Sequence, residues 1–339
     1  MKIVYRQHLV LVILIACSFS VTLAVPSTFY HYVQQPRSRI ITASSVRVRS
    51  EPATSGKELG KLAVGSVVTE LERSSAQAEV GNLSDYWYRV KFEGKEGWVF
   101  GGFTTEYQAA QRDQIYHNLM EQRLKTKTNF NDQLDLIKFV ERIIKETQAK
   151  DALAEWQLYR LLAIKKTVES LPFDKNNESP YKEWLKANEE NIVVSDPCGC
   201  WLLVSDRLWA LEKQYHGSVV GERAAWEASQ NSLPGECEGD ISCYFSVINL
   251  TTGQYLDLYP MGQHADEVLQ AIRTEVKSYL DDLNQAQPTY TVDNAEIITD
   301  LQQSVNTLHK YLKKVPAHKS ADIDKNLDTL MQKVNTIKK

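Results

Sequence analysis

The hydrophobic period of this chain changes once, near residue 107, and that change constrains the fold more than any other feature. From 37 to 107, apolar residues alternate with polar ones in short runs broken by Gly, Pro and Ser, the pattern of half-buried strands. From 108 to 339 they recur every three or four positions with only brief extended interruptions, the pattern of helices packed on one face. The spacing predicts a multidomain α+β chain. A small all-β unit occupies 41–107, an all-α body 108–290, and a helical hairpin 291–339. With 43% hydrophobic and 24% charged residues the composition is globular, which excludes disordered and collagen-like chains. A net charge of −4 lacks the basic footprint of a nucleic-acid binder, so nucleic acid is not expected as a partner.

Within the β unit, Ser45-Val-Arg-Val-Arg49 alternates, Ser50–Gly56 is a turn, and Leu59-Gly-Lys-Leu62 continues the pattern. Val64-Gly65 bends into Val67–Leu71, and a polar loop is expected from Ser74 to Asp85. Tyr86–Phe92 and Gly97–Phe100 read as strands joined by a hairpin turn at Glu93-Gly94-Lys95. Tyr88, Val90 and Phe92 share one face by the period of two, and Trp87, Arg89 and Lys91 share the other.

Four pieces of this unit, taken in order, resemble a bacterial SH3 domain. They are Val46-Arg-Val-Arg-Ser50 with Pro52 behind it, Leu59-Gly-Lys-Leu-Ala-Val-Gly65, Trp87-Tyr-Arg-Val90 and Gly97-Trp-Val99. The resemblance implies a small five-stranded SH3-like β-barrel, found in exported bacterial proteins and generally binding cell-wall or other envelope ligands without catalysis. It transfers no ligand residues. From the residues themselves, Tyr86, Trp87 and Trp98 are candidates for an aromatic platform with Arg89 at its rim. Packing of the barrel is the competing use of both tryptophans, and the favoured one for Trp98. Arg47 and Arg49 read as the solvated face of a strand.

The helical body shows apolar stripes at Ile115, Leu119 and Met120, then from Leu134 to Ile144, then from Leu153 to Ile164. Asn131-Asp132 are cap candidates for the second stripe. Tyr215–Ala224 and Tyr259–Val268 align without a gap, each an aromatic residue closing one helix before a turn and a new helix. This echo resembles the tetratricopeptide class, which would make the body a helical repeat. Farther on, Leu301, Val305, Leu308, Leu312 and Val315 step by four and three, and Ile323 to Ile337 repeat the steps after Pro316–Ser320. Matching seams joined by a short turn predict an antiparallel hairpin. Residues 301–339 carry eight lysines against three aspartates, whereas 108–300 carry a charge of −12. Either the basic hairpin docks on the acidic body, or it offers a surface to an anionic glycan or lipid head group.

The N-terminus sets the expected compartment. Lys2 and Arg6 precede an apolar run, Leu9–Ala16, and Thr22-Leu-Ala24 offers a small-residue cleavage point. Residues 1–24 read as a signal peptide and 25–40 as a linker. Leu14-Ile-Ala-Cys17 also resembles a bacterial lipobox, so lipidation at Cys17 and an uncleaved anchor remain open, and membrane contact is expected only there. Every version exports the body to the periplasm or cell envelope. Cys198, Cys200, Cys237 and Cys243 remain after the leader, an even count that favours disulfides in an oxidising compartment. Their C-x-C and C-x₅-C spacings do not fit a four-thiolate zinc site, and three disulfide pairings stay open.

Known catalytic patterns are missing from the sequence. There is no HExxH, G-x-S-x-G, Walker loop or G-x-G-x-x-G, so no catalytic residue, metal or cofactor is expected. Cys198-Gly-Cys-Trp201 resembles the papain-type Cys-Gly-Ser-Cys-Trp but lacks one residue, which displaces the second cysteine from the helix start. The expected function is that of a non-catalytic envelope protein. Its SH3-like module binds a cell-wall or peptide ligand, and its helical scaffold meets protein partners. The alternatives are a peptidoglycan hydrolase targeted by that module, and a lipid-anchored assembly factor.

Overall fold

A computed structural model describes residues 37–290, 292 and 294–337. The expected leader, its cleavage point, Cys17 and most of the linker lie outside the described residues. Seven strands form one antiparallel sheet: β1 (Ser38–Ile41), β2 (Val46–Arg49), β3 (Glu58–Leu62), β4 (Val67–Val80), β5 (Leu83–Phe92), β6 (Lys95–Phe100) and β7 (Thr104–Tyr107). Their order is β3-β2-β6-β5-β4-β1-β7, and the sheet curls into a half-barrel around Ile41, Val46, Val48, Val68, Val90 and Val99.

The sheet has seven strands where the resemblance implied five, and two further details differ from the sequence expectation. Strand β1 begins at Ser38, inside the stretch read as linker, and pairs with both β4 and β7. The expected polar loop at Ser74–Asp85 is mostly the outer half of the β4–β5 hairpin, turned at Gly81 with φ +61°. Both faces of that ribbon are wet, so its alternation carries no apolar signal.

The helical body begins with α1 (Arg112–Lys125), α2 (Phe130–Glu146), α3 (Lys150–Glu169) and α4 (Tyr181–Ala187). A two-stranded ribbon follows, β8 (Ile192–Ser195) with β9 (Cys200–Leu203). Then come α5 (Ser205–Gln214), α6 (Val219–Ser229), α7 (Ile241–Ile248), α8 (Gln254–Leu258), α9 (Ala265–Asp282), α10 (Ala295–Leu312) and α11 (Ala317–Ile337). Helix α2 is capped two residues earlier than expected: Asn129 Oδ1 accepts the Asp132 N–H at 3.1 Å. Helix α11 starts directly after Pro316, whose ring suits a helix entry, so most of the expected turn is helical. None of the helices among the described residues is long and apolar enough to cross a membrane.

The sequence echo is visible in the fold. Tyr215 closes α5 before α6, and Tyr259 closes α8 before α9. The two turns touch, because Tyr259 Oη donates to Glu212 at 3.0 Å and accepts the Gly217 N–H at 3.4 Å. Burial pushes the Tyr259 phenol up to about 12; the Gly217 N–H opposes that shift and Glu212 adds to it. Helices α10 and α11 fold back on one another, with Leu301, Leu308, Ile323, Leu327 and Leu330 fully buried. Hairpin lysines pair with body carboxylates, Lys314 with Asp257 and Lys319 with Asp266, each at 2.6 Å.

Half-barrel and body share a core. Ile40 and Val64 are buried in one cluster with Leu119, Met120, Phe139 and Val140. At Gly65, φ is +74° and an added Cβ would lie 2.1 Å from the Phe139 ring, so only glycine allows this approach. Arg142 of α2 donates to the Gly65 carbonyl at 3.0 Å.

Candidate ligand site

The outer face of the half-barrel carries the candidate site. Cross-strand registers put Trp87 opposite Phe100, Arg89 opposite Trp98, and Arg49 opposite Trp98. Strand alternation therefore sets Trp87, Arg89, Trp98, Phe100, Arg47 and Arg49 on one side. Trp87 and Phe100 meet edge to face at 5.5 Å, and Phe103 extends the aromatic run at 5.6 Å. The chain between them is Gly101-Gly102. A Cβ on Gly101 would lie 2.7 Å from the Asp85 carboxyl and the Tyr86 carbonyl, so glycine permits this tight return.

Beside these rings lies a cavity of about 240 Å³, walled by Trp87, Phe100, Phe103 and Val80 and rimmed by Arg47, Arg49 and Lys61. Arg49 donates to the Gly56 carbonyl at 2.7 Å, which fixes the β2–β3 loop. Arg47 and Lys61 share a single carboxylate, Glu58, at 3.1 and 3.9 Å. Three cations against one carboxylate leave this rim positive. Trp87 is 3% exposed, and its indole N–H has no hydrogen-bond partner among the described residues. A buried donor without an acceptor costs free energy until something supplies one.

Helices brace the rim from behind. Arg123 of α1 donates to Ser44 Oγ at 3.3 Å, and Ser44 Oγ donates to the Asp132 carbonyl at 3.3 Å. Burial holds the Arg123 guanidinium below its usual range, with Asp132 and Asp135 opposing that shift.

Of the four residues proposed from sequence, only Trp87 walls the cavity. Trp98 is half-buried on the same face, and Arg89 is tied to Glu72 at 2.9 Å and Glu96 at 3.6 Å. Tyr86 falls on the opposite face, where Arg73 covers its ring at 4.3 Å. Sequence reasoning set aside Arg47 and Arg49 and did not select Lys61, Phe100 or Phe103. For Lys61 and Phe100 the signal is strand parity, shared with Trp87 once registers are known, whereas Phe103 lies in the turn after β6 and joins through its ring contact with Phe100.

The four body cysteines take one of the three open pairings, Cys198 with Cys200 and Cys237 with Cys243. Among the described residues no group of His, Cys, Asp and Glu is arranged to hold a metal ion.

A family model described as Bacterial SH3 domain matches residues 44–105, which spans the cavity walls and rim except Ala43. No curated protein and no solved structure matches the chain. Domains of this family bind cell-wall components or peptides in bacteria, and here the matched segment is followed by a helical body.

Proposed function

We propose that this chain is an exported envelope protein whose SH3 domain holds a cell-wall or peptide ligand in the Trp87 cavity. One observation carries the reading: a buried indole N–H lacks an acceptor on the residue that walls an aromatic cavity with a cationic rim. A ligand offering a carbonyl or carboxylate oxygen satisfies that donor and meets the excess of Arg and Lys at the mouth. The body acts as a non-catalytic scaffold. Its paired helix–turn–helix units, read as tetratricopeptide-like, present a surface to envelope partners, and its two disulfides suit an oxidising compartment. Export proceeds through the N-terminal leader, either by cleavage after Ala24 or by lipidation of Cys17.

Co-sedimentation of the purified chain with peptidoglycan sacculi tests the binding. The wild-type chain is expected in the pellet, and Trp87→Phe, which keeps an aromatic ring but removes the donor, is expected to bind about tenfold more weakly, the weight of one buried hydrogen bond. A wild-type chain that stays in the supernatant would overturn the reading.

A further inference from the structure

The two disulfides close loops of very different kinds. Cys237 and Cys243 are half-buried, and their loop is packed into the fold. Within it Asp240 caps α7, its Oδ1 accepting the Ser242 N–H at 2.7 Å, and a Cβ on Gly239 would lie 3.2 Å from the Thr289 carbonyl. Cys198 and Cys200 flank one residue at the tip of the β8–β9 ribbon. That ribbon is already held by four paired positions, from Ile192 with Leu203 to Ser195 with Cys200. Closing so short a loop removes little freedom from the unfolded chain, so this bridge adds little to stability.

The short bridge is also accessible. Cys198 is exposed, and Gly199 stands at the tip with φ +56° and no atom within 4 Å of the place a Cβ would take. Cys200 is half-buried as the first residue of β9. Cys198 Sγ lies 3.5 Å from the Ser195 carbonyl oxygen, so a thiol formed there has an acceptor in place. Next to Cys200, the buried indole N–H of Trp201 has no partner among the described residues.

We propose that Cys198–Cys200 is an exchangeable disulfide that oxidises dithiols of client proteins, while Cys237–Cys243 is structural. A client thiolate attacks the exposed Cys198 Sγ. The Cys198–Cys200 bond breaks, and Cys200 leaves as a thiolate that takes a proton from water. The client's second thiolate then attacks its own sulfur in the mixed disulfide, expelling Cys198, which is protonated in turn. The client loses two electrons and two protons to become a disulfide, and the pair gains both as two thiols. A second turnover requires a small-molecule disulfide, such as oxidised glutathione, to reoxidise the pair by the reverse exchange. This activity uses neither the Trp87 cavity nor a hydrolytic constellation, so it stands or falls separately from ligand binding.

The test uses the oxidised full chain mixed without oxygen with reduced, unfolded ribonuclease A, followed by alkylation and peptide mapping. One client disulfide is expected per chain consumed, with new thiols at Cys198 and Cys200 and none at Cys237 or Cys243. In glutathione buffers, Cys198–Cys200 is expected to open at a reductant excess at least tenfold smaller than Cys237–Cys243 requires. Cys198→Ser/Cys200→Ser is expected to keep the wild-type melting temperature and lose the transfer. Absence of transfer from the wild-type chain, transfer that survives the double substitution, or a double variant that fails to fold would each overturn the proposal.

Discussion

In the helical body the phenols of Tyr159, Tyr255 and Tyr259 donate to Glu121, Glu222 and Glu212 at 2.8, 2.8 and 3.0 Å, whereas in the half-barrel the indole of Trp87 donates to no described residue. Arg223 joins the first of these pairs by reaching both Glu121 and Glu155, and burial holds the Tyr159 phenol above its ordinary range. Networks closed in this way fix the relation of α1, α3, α6 and α8 and leave those phenols no need of an outside partner. The half-barrel buries a donor without a partner among the described residues, on a residue that walls a cavity whose mouth is rimmed with cations. A missing partner alone does not mark a site, because Gln133 Oε1 and Asn249 Oδ1 in the body also lack one among the described residues; Trp87 is set apart by the cavity it walls and by the cationic rim. Trp201 in the body also has a buried indole N–H without a partner among the described residues, next to the Cys198–Cys200 disulfide.

The largest expected effect comes from breaking the body itself. Phe245 is fully buried between α7 and its neighbours, and Phe245→Ala is expected to cost about 3–5 kcal/mol in urea unfolding. The contact between the two regions comes next. Gly65→Ala puts a methyl group into the Phe139 ring at a positive φ, with an expected loss of about 2 kcal/mol. Phe139→Leu in the same chain should recover part of that loss, giving a measurable coupling in a double-mutant cycle.

Smaller effects sharpen the contrast at the surface. Arg47→Gln with Lys61→Gln leaves Arg49 as the rim's remaining cation and is expected to weaken sacculus binding a few-fold. Binding assayed across salt concentrations should also respond less to salt in that variant than in the wild-type chain. The smallest effect is expected at the clamp between α9 and α11, where Arg273 meets Asp322 at 2.6 Å. The Arg273 hydrogen bond holds the Asp322 carboxyl below the usual carboxylate range. Its contribution is therefore present above the unfolded carboxylate pKa and lost as pH falls through the lower folded value. Both side chains are partly exposed, so Asp322→Asn should cost only about 0.2–1 kcal/mol at neutral pH and nothing at strongly acidic pH, read from urea midpoints.

The sequence was informative where burial is one-sided. Val46, Val48 and Val90 alternate with polar neighbours and mark the half-barrel, and the seams of α10 and α11 mark their hairpin. The outer half of β4–β5 was not legible, because a ribbon wet on both faces has no apolar period. The candidate site was legible only at Trp87. A solvated strand face and a cationic binding rim have the same sequence signature, and Arg47 and Lys61 become a rim only when the β2–β3 register aligns them. Register likewise separates Tyr86 from Trp87, adjacent in sequence and on opposite faces.

The most direct measurement follows the Trp87 indole N–H by nuclear magnetic resonance in chain labelled with ¹⁵N-tryptophan, assigned through Trp87→Phe, while soluble peptidoglycan fragments are added. A saturable downfield shift of that resonance is expected, as the orphan donor gains an acceptor. Fragments that bind while the Trp87 resonance stays in place would contradict the assignment of the cavity as the ligand site.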